Sequence, residues 1–160
     1  MDEFIQPANE IETVIRTYSD TLFKICLLIL CKEQDAEDAL QETFLRYMLK
    51  APVFNETEHQ KAWLIRVAAN VCKDIYRYKT RHNHMNIDEL SSYGSSEEDR
   101  SIVNTVAILP QKYKIVILLH YIEGYDVKSI ADITGISVSA AKKRLQRGRE
   151  KLKILYEEDL

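Results

Sequence analysis

Residues 125–152 read YDVKSIADITGISVSAAKKRLQRGREKL, and the spacing inside this stretch decides the fold of the second half of the chain. Asp126 stands where a short helix can begin, because a carboxylate accepts hydrogen bonds from the unpaired amides of a first turn. Ile130, Ala131 and Ile133 recur at helical spacing, and Gly135 follows where a helix ends in the left-handed conformation that glycine adopts without a Cβ penalty. Ser137 caps a second helix, whose apolar stripe is Val138, Ala141, Leu145 and Leu152. Ala131 is small where the two helices would cross. Facing outward are Ser139, Lys143, Gln146 and Arg147, with Ala140 between them and Lys142, Arg144 and Lys151 as flanks. This is a helix-turn-helix whose second helix suits a major groove, with polar donors toward base edges and cations toward phosphates.

Working outward, the same periodicity continues. The 160 residues include only 4 Gly and 3 Pro, no run alternates apolar and polar for long, and Leu, Ile, Ala, Glu and Lys recur at helical spacing. The fold class is all-α. Helices are expected near 8–31, 34–50 and 58–81, with Pro52 and Asn55 separating the last two, and near 99–107, 111–122, 127–134 and 138–156, punctuated by Pro110, Gly124 and Gly135. Between them, HNHMNIDELSSYGSSEEDR is rich in Ser, Asn and acids and poor in large apolar residues, which is linker chemistry. The expected organisation is two small helical domains, 1–82 and 101–160, joined by a flexible linker, 83–100.

Charge is segregated along the chain. The formal net charge is -3, which argues against indiscriminate coating of nucleic acid. Yet Cys31–Glu42 carries the acids Glu33, Asp35, Glu37, Asp38 and Glu42 against one base, Lys32, whereas Ser137–Lys153 carries seven bases against one acid, Glu150. One surface therefore suits a basic or polar protein, and another suits phosphates. Three cysteines, Cys26, Cys31 and Cys72, lack C-x-x-C spacing and read as reduced core thiols. The longest apolar stretch, Leu22–Cys31, is about ten residues and contains Lys24, too short to span a bilayer. A cytoplasmic protein is expected, with no cofactor, no metal, no small-molecule substrate and no membrane insertion.

On DAEDALQETFLRYM, one helical face holds Ala36, Leu40, Phe44 and Tyr47, the core stripe. The opposite face gathers Asp38, Gln41 and Glu42 around Leu45. A single exposed leucine means little, but one ringed by acids has the form of a small protein interface. In HQKAWLIRVAANVCKDIYRYKTR the core stripe is Leu64, Val67, Ala68, Val71, Ile75 and Tyr78. Opposite it runs Arg66, Asn70, Lys73, Arg77, with Trp63 at the edge beside Asn70 and Asp74. Such a face suits a phosphate track, with a tryptophan able to stack on an unpaired base; a solvated basic face beside a buried tryptophan has the same pattern.

The order of these motifs is more specific than any one of them. DAEDALQETFLRYM, then AWLIRVAANVCKDIYR, then LPQKYKIVILLHYIEGYDVKSIADITGISVSAAKKRLQRGREKL resembles the conserved regions of extracytoplasmic-function sigma factors of the sigma-70 family, over nearly the whole chain outside the linker and termini. The resemblance implies a subunit that binds core RNA polymerase and directs promoter-specific initiation. It implies that Asp38, Gln41, Glu42 and Leu45 meet the clamp helices of the polymerase. It places Trp63, Arg66, Asn70, Lys73, Asp74 and Arg77 at the -10 element. The helix-turn-helix, through Ser139, Lys142, Lys143, Arg144, Gln146 and Arg147, would read the -35 element and touch the polymerase flap. An anti-sigma factor is a further partner to expect. Ala140 and Ala141 stand where the family often has Thr and Val, and Lys128-Ser129 replaces a usual acidic pair. The loop from Lys50 to Glu58, which in the family shapes a pocket for a flipped base, matches weakly and yields no assigned pocket residues.

Two other classes compete. A stand-alone helix-turn-helix regulator would bind a palindrome as a dimer, using only the second domain for DNA. A helical carboxylate hydrolase would gather Asp38, Glu42, His59 and Asp74 around a metal, but no Glu-x-x-His or His-Glu-x-x-His spacing is present. Glycine-rich phosphate loops and nucleophile elbows are also absent from the sequence, so no enzymatic activity is expected.

Overall fold

The computed structural model describes residues 8–80 and 104–158. The chain divides into two compact units, Met1–His84 and Met85–Leu160. The linker expected at 83–100 and the start of the helix expected at 99–107 lie outside the described residues.

The first unit packs three helices against one another: α1 (Ala8–Leu30), α2 (Glu33–Lys50) and α3 (Thr57–Thr80). Along α1, Val14, Tyr18 and Leu22 are buried at a spacing of four, one stripe turned to the other two helices, and from Ile25 to Leu30 every residue is buried. Each such aliphatic side chain contributes about 1.5–3 kcal/mol on full burial. The turn between α1 and α2 needs only Cys31 and Lys32. Cys31 takes a positive φ of 60°, unusual for a residue with a side chain, and its amide closes on the Leu27 carbonyl at 2.7 Å. Cys26, Cys31 and Cys72 are all buried as thiols. In α2, Ala36, Ala39, Thr43, Phe44 and Tyr47 face inward, and Thr43 satisfies its hydroxyl on the Ala39 carbonyl at 2.7 Å. Asp35 is buried as well, so it does not belong to the acidic surface.

The core face of α3 is wider than the expected stripe. Ile65, Ala69 and Cys72 join Leu64, Ala68 and Val71 in the interior, because α1 and α2 both pack on this helix. Tyr78 was expected in the stripe but is 62% exposed. It lies in the last turn of α3, where the interior residues have already given way to half-buried Ile75 and Tyr76.

In the second unit, α5 (Gln111–Tyr121), α6 (Val127–Thr134) and α7 (Val138–Glu158) follow α4, whose described part is 104–108. Apolar residues surround α5: Tyr113, Val116, Ile117, Leu118 and Leu119 are all buried, as is Lys114, which identifies it as the central helix. The turns follow the caps. The Asp126 carboxylate accepts from the Ser129 amide at 2.8 Å, and Gly135, at φ 73°, returns its amide to the Ala131 carbonyl at 2.9 Å. The Ser137 hydroxyl accepts from the Ala140 amide at 3.0 Å. Ala141, Leu145 and Gly148 form the buried line of α7. Val138, expected in that line, is 43% exposed, since it stands in the first turn before α7 reaches α5.

Candidate polymerase and nucleic-acid interfaces

On α2 the expected face is outward. Leu45 is 47% exposed, Asp38 and Gln41 are exposed, and Glu42 is half-buried. The sequence reading missed two neighbours. Leu49, one turn further, is 48% exposed and extends the apolar ridge. Arg46 donates to Glu42 at 3.0 Å, so the acidic rim is partly neutralised by its own helix. Asp38 accepts from Gln34 at 3.1 Å, which holds its carboxylate in place. An apolar pair of this kind with charged margins has the composition of an interface centre and rim.

On α3, Arg66, Asn70, Lys73, Asp74 and Arg77 are exposed along one side. Trp63 is half-buried between two other rings: Tyr47 of α2 at 6.0 Å between centroids and Phe54 of the α2–α3 loop at 5.9 Å, both edge to face. Gln60 donates to the Tyr47 hydroxyl at 3.0 Å. Burial pushes that phenol above its ordinary value, against the opposing pull of the Gln60 hydrogen bond. The loop 51–56 is thus pinned by Phe54, whereas Val53 at its tip is almost fully exposed. Tyr47 and Phe54 could have been found from the sequence only by asking which aromatics lie within reach of Trp63.

The six residues expected at the -35 element stand on α7, all exposed except half-buried Arg144. Gln146 points one amide toward Glu150 at 3.4 Å. Arg149, not assigned from sequence, donates to the Tyr121 hydroxyl of α5 at 3.3 Å. Beside them lies an apolar groove of about 510 Å³ whose lining includes Val106, Ile117, Leu118, Tyr121 and Leu152, with Arg149 and Lys153 contributing charge. The four residues of the metal-hydrolase alternative are not gathered: among the described residues no group of three or more His, Cys, Asp or Glu is placed to hold a metal ion. No described helix is long and apolar enough to cross a membrane.

Comparison with known proteins follows this division. Residues 14–82 match the model of sigma-70 region 2, and residues 99–152 match that of sigma-70 region 4. The chain is similar to the ECF RNA polymerase sigma factor SigW of Bacillus subtilis, 28% identical over 159 residues, covering 88% of this chain and 85% of that one. It is 33% identical over 128 residues to the RNA polymerase sigma factor SigZ of the same organism, covering 76% of this chain and 72% of that one. Among solved structures, the sigma factor RpoE of Bartonella quintana, determined with the anti-sigma factor NepR, shares the fold with a TM-score of 0.74 at 20% identity, over 96% of this chain and 100% of that one. CnrH, determined with the cytosolic domain of CnrY, does so with a TM-score of 0.73 at 24% identity, over 96% and 92%. A match running through both units does not favour a stand-alone dimeric regulator. Two matched regions in the expected order, and relatives named for this role over most of their length, place the chain in the sigma-70 family as a sigma factor of the extracytoplasmic-function type, a subunit that directs RNA polymerase to promoters.

Proposed function

We propose that the first unit, taken as residues 1–82, docks on core RNA polymerase and captures the -10 element, and that the second, 101–160, reads the -35 element, with 83–100 supplying reach between them. The single observation that carries this reading is that separate helices expose different chemistry: a leucine pair among acids on α2, and rows of cations on α3 of the first unit and α7 of the second. Asp38, Gln41, Glu42 and Leu45 meet the clamp helices of the polymerase. Trp63, Arg66, Asn70, Lys73, Asp74 and Arg77 face the -10 DNA. Ser139, Lys142, Lys143, Arg144, Gln146 and Arg147 face the -35 DNA, and the apolar groove beside Tyr121 receives the flap.

Magnitudes require the polymerase. Opening about ten base pairs costs on the order of 14 kcal/mol, at roughly 1.4 per step, while each captured base returns about 1–3 kcal/mol. Two small units do not melt DNA unaided. Held at the promoter spacing by one large partner, two weak contacts act as a bivalent reader. The protein itself performs no chemistry in this scheme, works in the cytoplasm where polymerase and DNA are, and is open to restraint by an anti-sigma factor, the kind of partner present with the RpoE relative. The test is promoter binding with and without core polymerase: the free chain binds promoter duplex weakly and with little sequence preference, and tight specific binding by the free chain overturns the proposal.

A further inference from the structure

We propose that Glu150 is a positioning residue for base reading: it holds the amide nitrogen of Gln146, so that Oε1 of Gln146 leads toward the DNA and selects a base carrying an exocyclic amine, adenine or cytosine, at one position of the -35 element. The inference rests on the reading of α7 as the helix in the major groove and names what one of its residues selects.

Ser137–Lys153 holds seven bases and one acid, Glu150. On a helix that grips a polyanion, an acid repels what its neighbours attract. Glu150 does not neutralise those neighbours. Arg147 and Lys153 stand three residues away on either side, a spacing that suits ion pairs along a helix, yet among the described residues no ion pair joins Glu150 to a cation. Its contact is with Gln146, one turn back, whose Nε2 donates to Oε1 of Glu150 at 3.4 Å.

Chemistry fixes which end of the amide is held. A carboxylate only accepts, so the end of Gln146 that faces Glu150 is its NH2 group. The planar amide then carries Oε1 on its other side. Among the described residues no donor engages that oxygen, and Gln146 is exposed. Toward the start of α7, Lys142 and Ser139 are exposed one and two turns further back, and the N-terminal part of a recognition helix is the part that meets base edges. In the major groove adenine and cytosine offer amine hydrogens at N6 and N4, whereas guanine N7 and O6 and thymine O4 only accept. A leading carbonyl oxygen therefore favours the first pair. Bound DNA excludes water, and the hold of Glu150 on the amide strengthens as the local dielectric falls.

The experiment uses holoenzyme assembled from the full chain and core polymerase, with equilibrium binding to labelled promoter duplexes in which each -35 position is changed to all four bases. The parent is expected to favour adenine or cytosine about fivefold over guanine and thymine at one position, the effect of one hydrogen bond gained or lost, and Gln146→Ala flattens that position. Glu150→Ala lowers the preference there to less than about twofold, because the amide is free to present either end. Glu150→Gln keeps a neutral acceptor for Nε2 and retains the preference. Both Glu150 variants lose the same negative charge and tighten binding to every duplex alike, so charge and orientation are read separately. The positioning role is overturned if Glu150→Ala keeps the parental preference, if Glu150→Gln loses as much as Glu150→Ala, or if the position that depends on Gln146 favours guanine or thymine. If Gln146→Ala leaves every -35 position as in the parent, the major-groove reading of Gln146 itself fails. If Gln146→Ala flattens one position while Glu150→Ala does not, only the role of Glu150 fails.

Discussion

Tyr47 of α2 and Trp63 of α3 meet edge to face, with ring centroids 6.0 Å apart and planes inclined by 69°. The helix carrying the exposed leucine pair and the helix carrying the cation row are thereby locked into one frame, and Phe54 pins the loop between them to the same indole. Trp63 is the one tryptophan of the chain, so its fluorescence reports folding and, on the proposed function, DNA capture as well.

Replacing Trp63 should separate these roles. Trp63→Ala removes a half-buried ring and two aromatic contacts, each worth about 0.5–1.5 kcal/mol beyond burial, and is expected to lower stability by about 2–3 kcal/mol in urea denaturation. Trp63→Phe keeps the ring stack, remains within about 1 kcal/mol of the parent, and loses promoter opening in proportion to its smaller stacking surface.

Leu45→Asp places a charge at the centre of the exposed α2 ridge. Since Leu45 is half in solvent, stability is expected to change by less than about 0.5 kcal/mol. Affinity for core polymerase is expected to fall at least 30-fold, the effect of losing an interface anchor worth about 2 kcal/mol or more. Leu49→Asp gives a smaller loss. Gel filtration of the chain with core polymerase, beside a thermal melt of the chain alone, measures both.

Gly148→Ala sets two opposing effects against each other. Alanine is favoured over glycine in a helix by about 1 kcal/mol, but here its Cβ would meet Ile117 at 2.9 Å, and overpacking costs about 1–3 kcal/mol. A net loss of about 1 kcal/mol is expected, seen as a lower thermal midpoint. A gain would mean that α5 and α7 do not approach so closely.

The helix-turn-helix carries a pH signature at Asp126. Its backbone hydrogen bond from Ser129 is the largest cause holding the carboxyl below the ordinary aspartate value of 3.8, followed by the Ser129 side chain and the charge of Lys128, against the opposing effect of burial. A folded-state value below the unfolded one stabilises the protein above about pH 4, and the gain disappears as pH falls through the folded value. Asp126→Ala is therefore expected to lower stability at pH 7 and to do so progressively less below pH 4, measured by urea denaturation across pH.

Several of these features were legible in the sequence because they are local. Asp126, Gly135 and Ser137 announce the turns through their own chemistry, and Leu45 was placed outside by periodicity alone. Tyr78 and Val138 were misplaced because a helical wheel extends a stripe to the helix ends, whereas packing stops where the neighbouring helix stops. Lys114 illustrates the other limit: in a helix most of whose residues are interior, a lysine is carried inside by its neighbours. Arg46 beside Glu42, and Phe54 against Trp63, depend on rotamers and on a loop path that spacing does not encode. The two ammonium groups over the Tyr113 ring, those of Lys112 and Lys151, need the α5–α7 crossing, which Gly148 permits but does not specify.

Promoter-specific run-off transcription with core polymerase tests the central claim most directly, comparing the intact chain with Leu45→Asp and Arg147→Ala. Leu45→Asp is expected to yield no transcript and to leave core polymerase unbound, while Arg147→Ala binds core normally and loses the distinction between matched and altered -35 elements. If Leu45→Asp binds core polymerase and transcribes as the intact chain does, the α2 ridge is not the docking surface and the division of labour between the two units is wrong.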